Sequence, residues 1–189
     1  MFQSAQPALV VIDVQQAIDC YSVLPRNNPD AEQVMSRLLQ AWRHHDLPVI
    51  HVRHASRFVE SPYHPDSQTY TFKPEVSPLA GETIITKNEN SAFIGTSLDD
   101  QLRALGITEL VVSGVLTNNS VDATVRVAAG NGYRCFLVRD AMAACGMALL
   151  NGDTLDADLV HEIFLSNLHD EYGQVCRSGD VLRAIDADG

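Results

Sequence analysis

Six short runs of largely apolar residues, separated by stretches of helical periodicity, restrict what this chain can fold into. They are Ala8-Leu9-Val10-Val11-Ile12, Pro48-Val49-Ile50-His51-Val52, Glu82-Thr83-Ile84-Ile85-Thr86, Leu110-Val111-Val112, Arg134-Cys135-Phe136-Leu137-Val138 and Gly173-Gln174-Val175-Cys176. The first is apolar throughout, as expected for a strand covered on both faces of a parallel sheet. Between the runs, apolar residues recur at helical spacing. Val34, Leu38, Leu39 and Trp42 follow a first-turn Pro29; Leu98, Leu102 and Leu105 precede Gly106; Val121, Thr124, Val125 and Ala128 precede Gly130. A further helix runs from about Asp156 through Leu168. Strands alternating with helices imply parallel βαβ units. The expected fold is a doubly wound α/β domain with a six-stranded, mainly parallel sheet and helices on both faces. The 189 residues show no repeat and no linker, so residues 1–189 read as a single domain.

In such sheets, ligands bind off the carboxyl ends of the strands. Asp13 lies just past the first run, Lys87 just past the third, and the turn at Ser120 past the fourth. Three polar groups from distant segments should therefore meet at one edge. The turn Ser113-Gly114-Val115-Leu116-Thr117-Asn118-Asn119-Ser120 leads from a strand into a helix, whose first amides lack internal partners and favour negative charge. Residues from about 54 to 81 are rich in Pro, Ser, Tyr and His and lack periodicity. A loop of that length reads as a lid or binding loop.

The net charge of −11 argues against nucleic acid as a partner, because phosphates call for clustered Lys and Arg. No apolar run spans a bilayer and no charged-then-apolar leader opens the chain, so a cytoplasmic protein without membrane contact is expected. Cys20, Cys135, Cys145 and Cys176 form no C-x-x-C pair, which disfavours a thiolate zinc site and suits reduced thiols. No cofactor is expected.

Three segments taken together carry a family resemblance: Val11-Ile12-Asp13-Val14-Gln15, Lys87-Asn88-Glu89-Asn90-Ser91-Ala92-Phe93, and Gly114-Val115-Leu116-Thr117-Asn118-Asn119-Ser120-Val121. In order and spacing the chain resembles the isochorismatase-like hydrolases, a superfamily that includes cysteine amidases such as nicotinamidases and maleamate amidases. Arg26-Asn27-Asn28-Pro29, Trp42-Arg43 and His51-Val52-Arg53-His54 look like a nicotinamidase-related branch. The resemblance implies a Rossmann-like three-layer α/β/α fold and a working set of Asp13, Lys87 and a cysteine, whose position matches Ser120. It also implies a cis peptide at Val115-Leu116 and oxyanion donors from the amides of Leu116 and Ser120. A small amide is the implied substrate, and a homo-oligomer, dimer or tetramer, the implied assembly. The apolar residues Leu38, Leu39 and Trp42 offer an interface, or equally core.

Serine at the cysteine position changes the chemistry. A thiol near pKa 8.5 needs modest help to ionise, whereas a hydroxyl lies closer to water, at about 15.7. At about 1.36 kcal/mol per unit, a gap on the order of 5 units adds about 7 kcal/mol. A carboxylate is a weak base for that task, and serine hydrolases use a His or a neutral Lys. Three readings stay open. Ser120 is an engineered replacement that cripples an amidase; or the chemistry is natural and needs no covalent step, as in isochorismatase-type hydrolysis; or the protein binds a small ligand without turnover.

Other residues carry weaker expectations. Gln15, Arg53, Tyr63, Phe93, Thr117 and Asn119 are candidates for substrate binding, with Phe93 as an aromatic wall and Arg53 and Tyr63 holding a carboxylate or amide. Thr117 and Asn118 could instead only satisfy the turn, and Phe93 could be core. His51 and His54 lack the D-x-H arrangement of the nicotinamidase metal site, and His64 and Asp66 lack a third ligand, so no metal is expected. Cys145, the tempting alternative nucleophile, reads as a packing thiol.

Overall fold

The computed structural model describes residues 1–22 and 24–188; within the single domain read from the sequence, Val23 and Gly189 lie outside them. Strand β1 (Ala8–Ile12) leads through a 3-10 turn (Gln16–Cys20) to helix α1 (Ala31–His44), then β2 (Val49–His54). A long loop precedes β3 (Thr83–Lys87) and α2 (Leu98–Ala104). Next come β4 (Glu109–Val115), a wide π-type turn (Thr117–Val121), α3 (Asp122–Gly130) and β5 (Arg134–Ala143). A small hairpin of β6 (Met147–Ala148) and β7 (Thr154–Leu155) follows, then α4 (Ala157–Leu168), β8 (Gln174–Cys176) and α5 (Ser178–Asp188).

The main sheet has the order β3-β2-β1-β4-β5-β8, all neighbours parallel. The alternation along each strand divides the core into two layers. On one face Leu9, Val11, Val111 and Phe136 pack against Val34, Met35, Leu38, Leu39 and Trp42 of α1 and Val181 and Ile185 of α5. On the other, Val10, Ile12, Ile50, Val112 and Leu137 pack against α2, α3 and α4 through Leu98, Leu102, Val125, Leu165 and Leu168. This is the doubly wound, three-layer α/β/α arrangement expected from the sequence. Leu38, Leu39 and Trp42 are fully buried, and the Trp42 indole N–H donates to the Pro7 carbonyl at 2.9 Å. The face considered as an interface is therefore spent inside the chain. Among the described residues no helix is long and apolar enough to cross a membrane.

The structure adjusts several boundaries. Helix α1 starts at Ala31, so Pro29 precedes it rather than opening its first turn. The fifth run does not stop at Val138. Pairing with β4 slips between Val112–Leu137 and Gly114–Met142, a bulge that absorbs the polar pair Arg139-Asp140 and lets β5 resume to Ala143. Asp140 then accepts from the Ser178 amide at 2.8 Å and hydroxyl at 2.6 Å, anchoring the start of α5. The β6–β7 hairpin has two residues per strand, too short for a periodicity to register.

Two local features link this frame to the strand ends. Gly114 has φ +126°, and a Cβ there would lie 2.2 Å from the Ile12 carbonyl oxygen. Only glycine permits β1 and β4 to approach so closely beneath the turn. Glu32, on α1, accepts from both terminal nitrogens of Arg26 at 2.7 Å and from Lys73 at 2.9 Å, and Lys73 also reaches Asp19 at 2.7 Å. That network ties the end of the long loop to the segments flanking α1.

Gly114→Ala is expected to destabilise the protein by about 3 kcal/mol or more, read as a lower midpoint in chemical denaturation. Burial pushes the Glu32 carboxyl upward in pKa, but hydrogen bonds from Arg26 and Lys73 outweigh it and bring it from 4.5 to about 2. A depressed carboxylate contributes stability that is present above its unfolded value and lost as pH falls through the folded one. Between pH 4.5 and about 2, the melting temperature should therefore fall more steeply in the native chain than in Glu32→Gln.

Candidate active site

The order of the main sheet reverses direction between β1 and β4, and off the carboxyl ends of these two strands three polar side chains meet. Asp13 follows β1 directly, its backbone in the left-handed region at φ 56° and its amide bonded to the Val52 carbonyl at 2.8 Å. Lys87 ends β3, two strands away, and its side chain reaches across the end of β2. Its ammonium donates to Asp13 Oδ2 at 2.6 Å, to Ser120 Oγ at 3.1 Å and to the Glu89 carbonyl at 3.2 Å. Asp13, Lys87 and Ser120 are all buried. A buried ammonium needs this compensation, because desolvation without an anion would cost several kcal/mol. Asp13 Oδ1 is buried and, among the described residues, has no hydrogen-bond partner.

Ser120 lies in the wide turn between β4 and α3. The peptide Val115–Leu116 at the start of that turn is cis. Among the described residues the Leu116 amide donates no hydrogen bond, while the Leu116 carbonyl accepts from the amides of Asn119 and Val121 at 3.0 and 3.2 Å. Thr117 is fully buried, and its hydroxyl lies 2.8 Å from His161 Nδ1 on α4. His161 Nε2 faces the Arg139 carbonyl at 3.0 Å and must donate to it, so Nδ1 accepts from Thr117. The turn is thus fixed to α4 through a neutral imidazole, its pKa lowered by burial.

A cavity of about 240 Å³ opens over these groups, bounded by Asp13, Val115, Leu116, Asn119 and Ser120 on the sheet side. The long loop closes it with Ser56, Phe58, Ser61 and Tyr63, while Tyr21 and His54 complete the wall. Tyr63 makes edge contacts with Tyr21 and His54 at centroid distances of 5.7 and 5.8 Å. Burial, and then the Asp13 charge, push the Tyr63 phenol upward in pKa, so it remains a neutral hydroxyl. Burial and the Lys87 ammonium lower the pKa of His54.

Residues 7–177 match the isochorismatase domain family. The chain belongs to the isochorismatase family. It is 37% identical over 175 residues to the isochorismatase family protein YrdC of Bacillus subtilis, covering 93% of this chain and 94% of that one. A crystal structure of an isochorismatase-family protein from Chromobacterium violaceum superposes with a TM-score of 0.96 at 49% identity, covering 98% of this chain and 96% of that chain. The maleamate amidohydrolase of Pseudomonas putida is 30% identical over 114 residues, 60% of this chain and 48% of that one. Isochorismatase-family proteins are hydrolases, and this chain is a hydrolase of that family by descent.

Within this isochorismatase-family frame, the candidates named from the sequence divide. Asp13, Lys87 and Ser120 are brought together, and Val115, Leu116, Asn119 and Tyr63 border the cavity. Four others serve elsewhere. Gln15 is fully buried; its amide donates to the His54 and Tyr70 carbonyls at 3.1 and 2.7 Å and accepts from the His54 amide at 2.8 Å. It fastens the long loop to β2. Arg53 alternates away from the site: it donates to Thr86 Oγ1 at 2.9 Å and covers the Tyr70 ring at 5.1 Å. Phe93 packs against Tyr133 on the α2–α3 side, so the core alternative applies. Thr117 anchors the turn. His51 points to Glu82 at 2.8 Å, and no group of three His, Cys, Asp or Glu side chains among the described residues suits a metal ion. Cys145 packs in the core, where burial raises its thiol pKa. Sequence reading missed Tyr21, Ser56, Phe58, Ser61 and Asn90 as wall residues. They lie in irregular segments whose approach to the site depends on how the loop folds back.

That fold-back rests on Gln15. Gln15→Leu, which is similar in size but offers no hydrogen bond, should cost about 2–4 kcal/mol by orphaning the His54 backbone and the Tyr70 carbonyl. Hydrogen exchange should rise across residues 54–72 while β4 and β5 stay protected.

Proposed function

We propose that this hydrolase acts on the C–N bond of a small amide, with Ser120 in the nucleophile's place, Asp13 as proton carrier and Lys87 as the cation that holds both. The supporting observation is the shared ammonium. It bonds Asp13 Oδ2 and Ser120 Oγ at once and leaves Asp13 Oδ1 unpartnered beside the cavity. Similarity to maleamate amidohydrolase points to the same type of bond.

In this reading the substrate carbonyl carbon faces Ser120 Oγ, and its oxygen takes the amides of Leu116 and Ser120, worth about 3 kcal/mol per donor as charge develops there. As the Oγ–C bond forms, the hydroxyl proton passes to Asp13. Asp13 returns it to the nitrogen as the C–N bond breaks and the amine leaves. Water then adds to the ester and gives a proton to Asp13. That proton returns to Ser120 Oγ as the C–Oγ bond breaks and the acid departs.

One observation favours a second reading. Ser120 Oγ accepts a hydrogen bond from Lys87, and among the described residues none joins it to Asp13. An oxygen already accepting from an ammonium is a weaker nucleophile. Water activated by Asp13 Oδ1 would then attack directly, and Ser120 would only position it.

The two readings separate on Ser120→Cys and Ser120→Ala, offered a panel of small amides and followed by ammonia release and intact-protein mass. The amide reading expects the cysteine variant to gain about 100-fold or more in rate and to accumulate an acyl adduct. Asp13→Asn should lose about 100-fold or more under either reading. If Ser120→Ala keeps the native rate, the direct attack of water replaces the covalent route. If Ser120→Cys neither releases ammonia nor gains acyl mass, amide hydrolysis is wrong.

A further inference from the structure

The charge on the cavity wall limits what can enter. Asp13 is already paired with Lys87, and that ammonium is fully buried behind it. Nearby cations are committed elsewhere: Arg26 and Lys73 to Glu32, and Arg53 to Thr86 and the Tyr70 ring. The rest of the wall is aromatic, aliphatic or neutral polar. His54, with its pKa lowered by burial and by Lys87, adds no positive charge at neutral pH. The acceptor left without a partner, Asp13 Oδ1, calls for an N–H or O–H and repels an anion. A carboxylate placed here would lose its hydration and, among the described residues, find no uncommitted cation to replace it. The first free-standing ion pair lies farther out. Arg57 and Glu89 meet at 2.8 Å in an outer groove of about 670 Å³ that shares His54, Ser56, Phe58 and Asn90 with the cavity.

We propose that the cavity selects an uncharged amide head: a small acyl group without a carboxylate, set against Tyr63, Phe58 and Leu116, with its nitrogen toward Asp13 Oδ1. A charged group is accepted only on a substituent long enough to reach the outer groove. This names the substrate class of the site and rests on the amide reading of it.

The test uses amides matched in size and shape: succinamide against succinamate, and fumaramide against fumaramate. Rates are measured on the full chain carrying Ser120→Cys, and binding on the native chain by titration calorimetry. The uncharged member of each pair should show a kcat/KM about 100-fold higher, and only it should bind the native chain. Preference for succinamate or fumaramate, in rate or in binding, overturns the inference and leaves amide hydrolysis standing. If Ser120→Cys turns over none of them, amide hydrolysis falls instead. Binding then decides the inference: it survives if the uncharged amides alone bind, and fails if none binds or the anions do. Asn90→Arg, which places a cation at the exposed rim, should narrow the preference to about tenfold. An unchanged gap would show that missing positive charge is not its cause.

Discussion

A lysine ammonium with no access to water has to find its compensation inside the protein, and in this chain it finds it in Asp13. The 2.6 Å contact, with the Glu89 carbonyl and Ser120 Oγ as further acceptors, fixes the relative positions of three segments far apart in sequence. Lys87 must lie at the end of β3 and Asp13 immediately past β1. The turn carrying Ser120 must come close enough to share the donor. The close approach of β4 to β1 at Gly114 and the anchoring of Thr117 to His161 bring that turn into place. Loss of either charged partner would leave the other buried without its counterpart, which costs far more than the intact pair contributes.

The same pair shapes what surrounds it. Because the ammonium is consumed by Asp13, the cavity wall carries a paired carboxylate rather than a positive pole. The long loop closes over it with aromatic and hydroxyl side chains. That loop is ordered through its backbone: the Gln16 and Ala17 amides donate to Thr71 and Thr69, and the Lys73 amide donates to Val14, beside the Gln15 staple. From it Ser56, Phe58, Ser61 and Tyr63 line the cavity.

Much of the architecture was readable because burial on both sides of a sheet leaves unbroken apolar runs, and because helical spacing marks the covering layers. The convergence of Asp13, Lys87 and Ser120 followed from the rule that parallel strands end on one side. Legibility failed where tertiary contacts decide. Arg53 looked available for a substrate, but strand alternation turns it toward Thr86 and Tyr70. Gln15 looked like a site residue for its place beside Asp13, yet its amide is used up by loop backbone. The bulge in β5 hid the strand's second half behind Arg139-Asp140. Tyr21 and Asn90 could not be read as wall residues, since nothing in their neighbours' spacing reveals where an irregular segment returns.

The division of labour in the long loop has an evolutionary corollary. Its path is held by main-chain amides and carbonyls, by Gln15, by short side-chain bonds from Ser56, Ser61, Ser67 and Thr69, and by the Glu32 cluster at its far end. Phe58, whose side chain stands exposed at the rim, can therefore be exchanged without loosening the scaffold or disturbing the ion pair beneath. Descendants of such a chain would diversify by redecorating that rim, keeping the reactive floor constant while the menu of accepted molecules drifts.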